Sequence, residues 1–145
     1  MNIEFYALPI ALHSVPSGKT LTRCSLKQSI AHNLHLILTS TFNSLSSDDQ
    51  FGCRIWDADF DNISNQNKQK EEIIHSIQQV IGRYERRLTQ TRVELRLQQE
   101  EAEPRQAGTR VKKKLSIVIT AHIQLTNEPI VYRDHFFVSP LSYDL

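Results

Sequence analysis

The run Ile73-Ile74-His75-Ser76-Ile77-Gln78-Gln79-Val80-Ile81-Gly82-Arg83-Tyr84-Glu85-Arg86-Arg87-Leu88 decides how this chain is read. Ile73, Ile77, Val80, Ile81, Tyr84 and Leu88 form an apolar stripe at helical spacing. Glu71 and Glu72 stand near the positive N-terminal end, and Arg83, Arg86 and Arg87 near the negative end. After Leu88 the period changes. Val93, Leu95 and Leu97 alternate with Arg92, Glu94, Arg96 and Gln98, the pattern of a half-buried strand. The segment predicts an amphipathic helix that closes on Tyr84 to Leu88 and hands the chain to a sheet.

Downstream, a polar tip from Gln99 to Lys114 holds Pro104 and Gly108, and Leu115, Ile117, Ile119, Ala121, Ile123 and Leu125 alternate on a return strand. Asn127-Glu128-Pro129 marks a turn, and Ile130 to Ser139, with Tyr132, Phe136 and Phe137, makes a third strand. Upstream, Ser25-Leu26-Lys27-Gln28 has the form of a capping box, opening a helix whose Leu26, Ile30, Leu34, Ile37 and Leu38 share one stripe. The Ser and Asp cluster from Ser44 to Asp49 ends it. Residues 1–22, broken by Pro9, Pro16 and Gly18, read as an extended or irregular peripheral extension, with residues 23–145 as a single domain. The fold class is α+β: two N-terminal helices packed on a three-stranded antiparallel β-meander.

Composition narrows the function classes. A chain of 145 residues that is 39% hydrophobic suits one core. Seventeen basic and sixteen acidic side chains leave a formal charge of +1, so no global field draws it to nucleic acid or an anionic membrane. No apolar run approaches the ~20 residues that span a bilayer, and the reading is a soluble, cytoplasmic chain. Cys24 and Cys53 read as reduced, semi-buried thiols.

Residues 51–66 read as a loop or short extended segment in which Phe51, Gly52, Trp56 and Phe60 are anchors to the core. Asp57, Asp59 and Asp61 alternate as in a calcium loop, yet Asn62 stands where that turn needs glycine and Lys68 where it needs a bidentate glutamate. No metal or cofactor is therefore assigned. His32 and His35 lie three apart on the first helix and read as rim residues. In the hairpin tip, acids precede bases and no aromatic interleaves to stack a base, so a solvated end outweighs a nucleic-acid finger. Glycoside hydrolysis would need Glu85 as acid with Asp57 or Asp59 as its partner. Glu85 is followed by Arg86 and Arg87, whose charges favour the ionised form, so no catalytic residue is assigned and the chain is not read as an enzyme.

The sequence Phe51-Gly52-Cys53, then Phe60, the helix with Ile73, Ile77 and Ile81, and its end Tyr84-Glu85-Arg86-Arg87-Leu88 before Val93 resembles the baseplate wedge family of contractile injection machines. That family includes the lysozyme-like wedge proteins of contractile-tailed phages and TssE of type VI secretion systems. The resemblance covers about residues 25–140. Its diagnostic element is Glu-Pro-Arg-Leu at the end of the second helix: Glu85, Arg87 and Leu88 match, and Arg86 replaces the proline. Arginine permits the preceding helical conformation that proline disfavours, so a less sharply terminated helix is expected. Glu103-Pro104-Arg105 spells the triplet literally, but it lies in the hairpin tip, beyond the strand that should follow the motif. The Trp56-Asp57-Ala58-Asp59-Phe60 run resembles secretion-system members.

The resemblance implies assembly work rather than turnover. It implies TssF-like and TssG-like wedge subunits and TssB/TssC-like contractile sheath subunits as partners, with no nucleic acid and no membrane insertion. The location it implies is cytoplasmic, in a baseplate assembled at the inner membrane. The sheet edge would dock sheath strands by β-augmentation, with Glu85, Arg86, Arg87 and Leu88 at the docking junction. The most specific expectation is a TssE-like subunit that joins wedge subunits and templates sheath assembly. A phage-type wedge protein and a muramidase-like hydrolase are the alternatives.

Overall fold

The chain is described by a computed structural model at residues 4–40, 46–48, 50–52, 66–101 and 111–138. Its elements run β1 (Phe5–Tyr6), a 3-10 turn (Leu12–Ser14), β2 (Arg23–Cys24), α1 (Leu26–Thr39), α2 (Gln66–Tyr84), β3 (Leu88–Glu101), β4 (Val111–Ile123) and β5 (Pro129–Val138). Strands β3, β4 and β5 form an antiparallel meander in that order, while β1 and β2 pair as a separate antiparallel ribbon. The structure is thus mixed helix and sheet, with two helices of several turns and antiparallel sheets.

Helix α1 starts where the capping box predicts. The Gln28 amide N–H donates to the Ser25 hydroxyl at 3.3 Å, and the Ser25 N–H donates to the Gln28 side-chain oxygen at 3.0 Å. These bonds satisfy donors that a helix start leaves without intrahelical partners. The apolar stripes then find one another. Ile30, Leu34 and Leu38 of α1 and Ile73, Ile77 and Ile81 of α2 close on Val93 and Leu95 of β3, on Leu115, Ile117, Ile119, Ala121 and Ile123 of β4, and on Ile130 of β5. Fully burying such a side chain contributes about 1.5–3 kcal/mol, so this layer supplies the drive for folding. Helix α2 lies mainly against β3, and α1 touches β5.

Three expectations change. Leu88 opens β3 instead of closing α2, which stops at Tyr84. Leu88 and Val93, five residues apart, are both buried because the register slips between Thr89 and Arg92. Gln90 takes φ 52° there. An extra residue reverses the in-out phase, so both leucine and valine point to the core on either side of the bulge. Secondly, the polar tip is shorter than Gln99 to Lys114: β3 runs to Glu101 and β4 starts at Val111, with Glu100 opposite Lys112 and Gln99 opposite Lys113. Ladder bonds continue past the point where apolar alternation stops. At the other end, β4 stops at Ile123, leaving Leu125 exposed in the turn.

Thirdly, the N-terminal extension, read as extended or irregular, supplies one strand of a two-stranded ribbon with β2. Phe5 pairs with Cys24 and Tyr6 with Arg23, and the Arg23 guanidinium donates to Glu4 at 2.8 Å. The Leu8 N–H donates to His32 Nδ1 at 3.3 Å, which lays the ribbon against α1. Strands of two residues fall below the length at which alternation is visible. Trp56, Phe60, Cys53, the alternating Asp57, Asp59 and Asp61, and Glu103-Pro104-Arg105 lie outside the described residues.

Candidate functional site: the corner between α2 and β3

Helix α2 ends sharply without a proline. The Glu85 N–H makes the last helical bond, to the Ile81 carbonyl at 2.8 Å, and the Leu88 N–H reaches back to the Glu85 carbonyl at 3.3 Å. The Gln124 N–H then captures the Arg87 carbonyl at 2.7 Å, drawing the chain into the sheet. The Glu85 carboxylate also accepts the Arg87 backbone N–H at 3.2 Å. Side chain and sheet thus perform the termination that proline would have imposed, correcting the expectation of a looser helix end.

Among the described residues, Glu85 is the buried charged side chain, at 2% exposure. Arg87 grips it with a fork: Nε donates to Oε1 and Nη2 to Oε2, each at 2.7 Å. Asn33 of α1 donates to Oε2 at 2.8 Å and also to the Tyr84 carbonyl at 3.3 Å. The third guanidinium nitrogen, Nη1, donates to the Ser29 hydroxyl at 2.9 Å. Above the guanidinium sits the Phe5 ring, with Cζ 5.4 Å from its centroid. One ion pair therefore fastens α2, β3, α1 and the ribbon. Burial pushes the Glu85 carboxyl up, but the Arg87 fork and the Asn33 amide outweigh it and hold the group below the usual carboxylate range. The same fork raises Arg87.

Asp48, Gln50 and Phe51, ahead of α2 in the chain, are tied to this corner. Phe51, half-buried, packs edge-on against Tyr84 with centroids 4.9 Å apart, and Gly52 is buried with φ 128°, a backbone geometry suited to glycine. The Tyr84 hydroxyl donates to Asp48 at 2.7 Å and lowers that carboxyl, while Arg83 donates to Gln50. An open cleft of about 510 Å³ is lined by Asn33, Asp48, Arg83, Tyr84 and the residues 85–87.

The structure thus brings Glu85 and Arg87 together and separates their roles from those of their neighbours. Glu85 and Leu88 face the interior, Arg87 is partly open to the cleft, and Arg86 is exposed with no ion pair among the described residues. Asn33, Ser29, Asp48 and Phe5 were not singled out from sequence. Asn33 and Ser29 carry a faint signal as polar residues on a helix that packs into a core. Their pairing across more than fifty residues has none.

A second polar cluster joins α1 to β5. Asp134 Oδ2 accepts the Tyr132 hydroxyl at 2.6 Å and lies 2.7 Å from His35 Nδ1. Burial pushes Asp134 up, but the Tyr132 and His35 contacts prevail and lower it. Tyr132 is raised by burial and by the Asp134 charge. Among the described residues, no three His, Cys, Asp or Glu side chains cluster in a way that could hold a metal ion. No described helix is long and apolar enough to cross a membrane.

The family model described as baseplate wedge protein gp25 matches residues 24–128. Among solved structures, the chain is similar to a Geobacter sulfurreducens protein described as a candidate tail lysozyme. Identity is 21%, the TM-score is 0.59, and the match covers 85% of this chain and 100% of that one. At that identity the likeness shows a shared fold. No curated protein sequence matches the chain.

Proposed function

The chain belongs to the baseplate wedge protein gp25 family, and from that premise we propose that it serves as the TssE-like subunit of a type VI secretion baseplate. In this reading it joins TssF-like and TssG-like wedge subunits in the cytoplasm, beneath the inner membrane. Its sheet edge templates the first ring of TssB/TssC-like sheath subunits. Strand addition supplies main-chain hydrogen bonds without any catalytic group.

The observation that carries an assembly role over turnover is the state of Glu85. A general acid for glycoside hydrolysis needs a raised pKa and access to the glycosidic oxygen. Glu85 is buried, gripped by the Arg87 fork and held ionised. These features support a rigid corner that positions the sheet. Partner contact at this site falls to Arg86 and the open side of Arg87, with Glu85 and Leu88 bracing them from beneath.

Reconstitution tests the proposal. Sheath should nucleate on wedge complexes containing this chain and fail when it is omitted; sheath formation of equal yield without it would refute the role. The muramidase-like alternative is separated by peptidoglycan zymography, where clearing that disappears in Glu85→Gln would establish hydrolysis. The genes flanking this one distinguish a secretion system from a phage-type wedge.

A further inference from the structure

We infer that β5, and not β3, is the edge that receives an added strand, and that this edge selects an amphipathic segment, acidic on the outer face and apolar on the inner. The inference rests on the strand-addition reading above. In the three-stranded sheet β3 and β5 are both edges, and among the described residues no strand pairs with the free side of either. They are not equivalent. Strand β3 carries the Gln90 bulge and an outward row in which Arg92, Glu94 and Arg96 alternate in sign, two devices that blunt an edge against pairing. Strand β5 pairs with β4 without a register break from Pro129 to Val138.

The two faces of β5 differ in chemistry. Its outward row is Val131, Arg133, His135 and Phe137, all exposed. Arg133 has no ion pair or hydrogen bond among the described residues; the acid on its cross-strand line, Glu94, stands two strands away beyond Val118. At about 4.8 Å per strand that separation is about 10 Å, roughly one Debye length in 0.1 M salt, so among the described residues no acid on that line compensates the guanidinium. An added strand would set its own outward side chains directly beside this row. A carboxylate on that strand fits beside Arg133.

On the inner face, Asp134 is already engaged by Tyr132 and His35 and needs no further partner. His35 also forms one wall of an apolar pocket of about 310 Å³, completed by Leu8, Pro9, His32, Leu36 and Thr39. The pocket therefore borders β5 through His35, and an inward aliphatic side chain on an added strand would find in it the apolar surface that Leu36 leaves exposed. Pocket, unpaired arginine and unbroken ladder all favour the same edge.

Two synthetic peptides of β5's ten-residue length test this, one alternating valine with glutamate and the other valine with lysine, each titrated into the full ¹⁵N-labelled chain. The glutamate peptide should perturb and protect alternate amides of β5 and leave β3 unchanged. The lysine peptide should bind about two- to fivefold more weakly for each opposed pair. Arg133→Glu should invert that order, while the exposed Leu36→Asn should weaken both peptides alike. Protection confined to β3, equal affinity of the two peptides, or no protection by either would overturn the assignment. Pairing at β3 would leave strand addition itself standing, whereas sheath that nucleates without the chain removes the reading beneath it.

Discussion

The α2–β3 corner and the α1–β5 seam each set a carboxylate against a nitrogen base, Arg87 in one and His35 in the other, and they differ in how much water reaches the pair. At the corner, the Glu85 side chain is 1% exposed and Arg87 32%, with two parallel bonds and an amide behind them. At the seam, Asp134 is 18% exposed and His35 58%, with one direct contact between them and the Tyr132 hydroxyl beside it. Low dielectric strengthens an ion pair but makes either partner expensive to leave alone; water weakens both effects. The corner is therefore a permanent rivet. The seam is an adjustable contact beside the edge proposed to receive a partner.

The largest expected effect comes from breaking the rivet on one side. Arg87→Met strands a buried carboxylate and should cost about 3–5 kcal/mol in urea unfolding at unchanged m-value. Adding Glu85→Leu should restore most of that loss, because removing both charges also removes their desolvation. The pH response gives the same contrast a sign. Glu85 is depressed in the folded chain relative to about 4.3 in the unfolded one, so its contribution is fully present above that value. It declines as pH falls toward the folded value. In Arg87→Met, burial remains while the principal counter-charge is gone, so the Glu85 pKa should rise and its slope reverse, stability now falling as pH rises through the new value. Thermal midpoints measured across the acid range in both proteins check this, and parallel curves would break the comparison.

Asn33→Ala is a smaller insult to the same corner. It removes a hydrogen bond to a charged oxygen and should cost about 1.5–3 kcal/mol in the same assay. A cost near zero would mean that Arg87 alone holds Glu85.

The two regions also differ in how far sequence could reveal them. Both helices were legible, since Ser25 and Gln28 announce α1 and the isoleucines of α2 repeat on one face. The meander was legible through Ile117, Ile119 and Ala121. What escaped has a physical cause in each case. The bulge at Gln90 reverses the phase of β3, so Leu88 read as the end of a helix stripe. Ladder bonding of polar residues extends β3 and β4 beyond the apolar alternation that betrays a strand. At the site, the bond between Glu85 and Arg87 is local and could be suggested from sequence, whereas Asn33, Ser29 and Phe5 arrive only when distant elements pack. Glu85 then becomes an interior brace, which no local pattern distinguishes from an exposed charge.

The smallest expected effect lies at the seam, where it measures how adjustable that contact is. Asp134→Asn keeps an oxygen to accept the Tyr132 hydroxyl and removes the charge facing His35. Because His35 is mostly exposed, the loss should stay within about 0–1 kcal/mol, the range of surface ion pairs. A double-mutant cycle with His35→Ala isolates the pair and should return a coupling of that size, several-fold below the cycle on Glu85 and Arg87. Amide exchange should show where the loosening goes: faster at β5 and the facing turns of α1, unchanged at Glu85 to Leu88. A coupling as large as the corner's, or loosening that spreads to the corner, would mean that the edge beside the seam is held as rigidly as the core, leaving little freedom for β5 to adjust to an incoming strand.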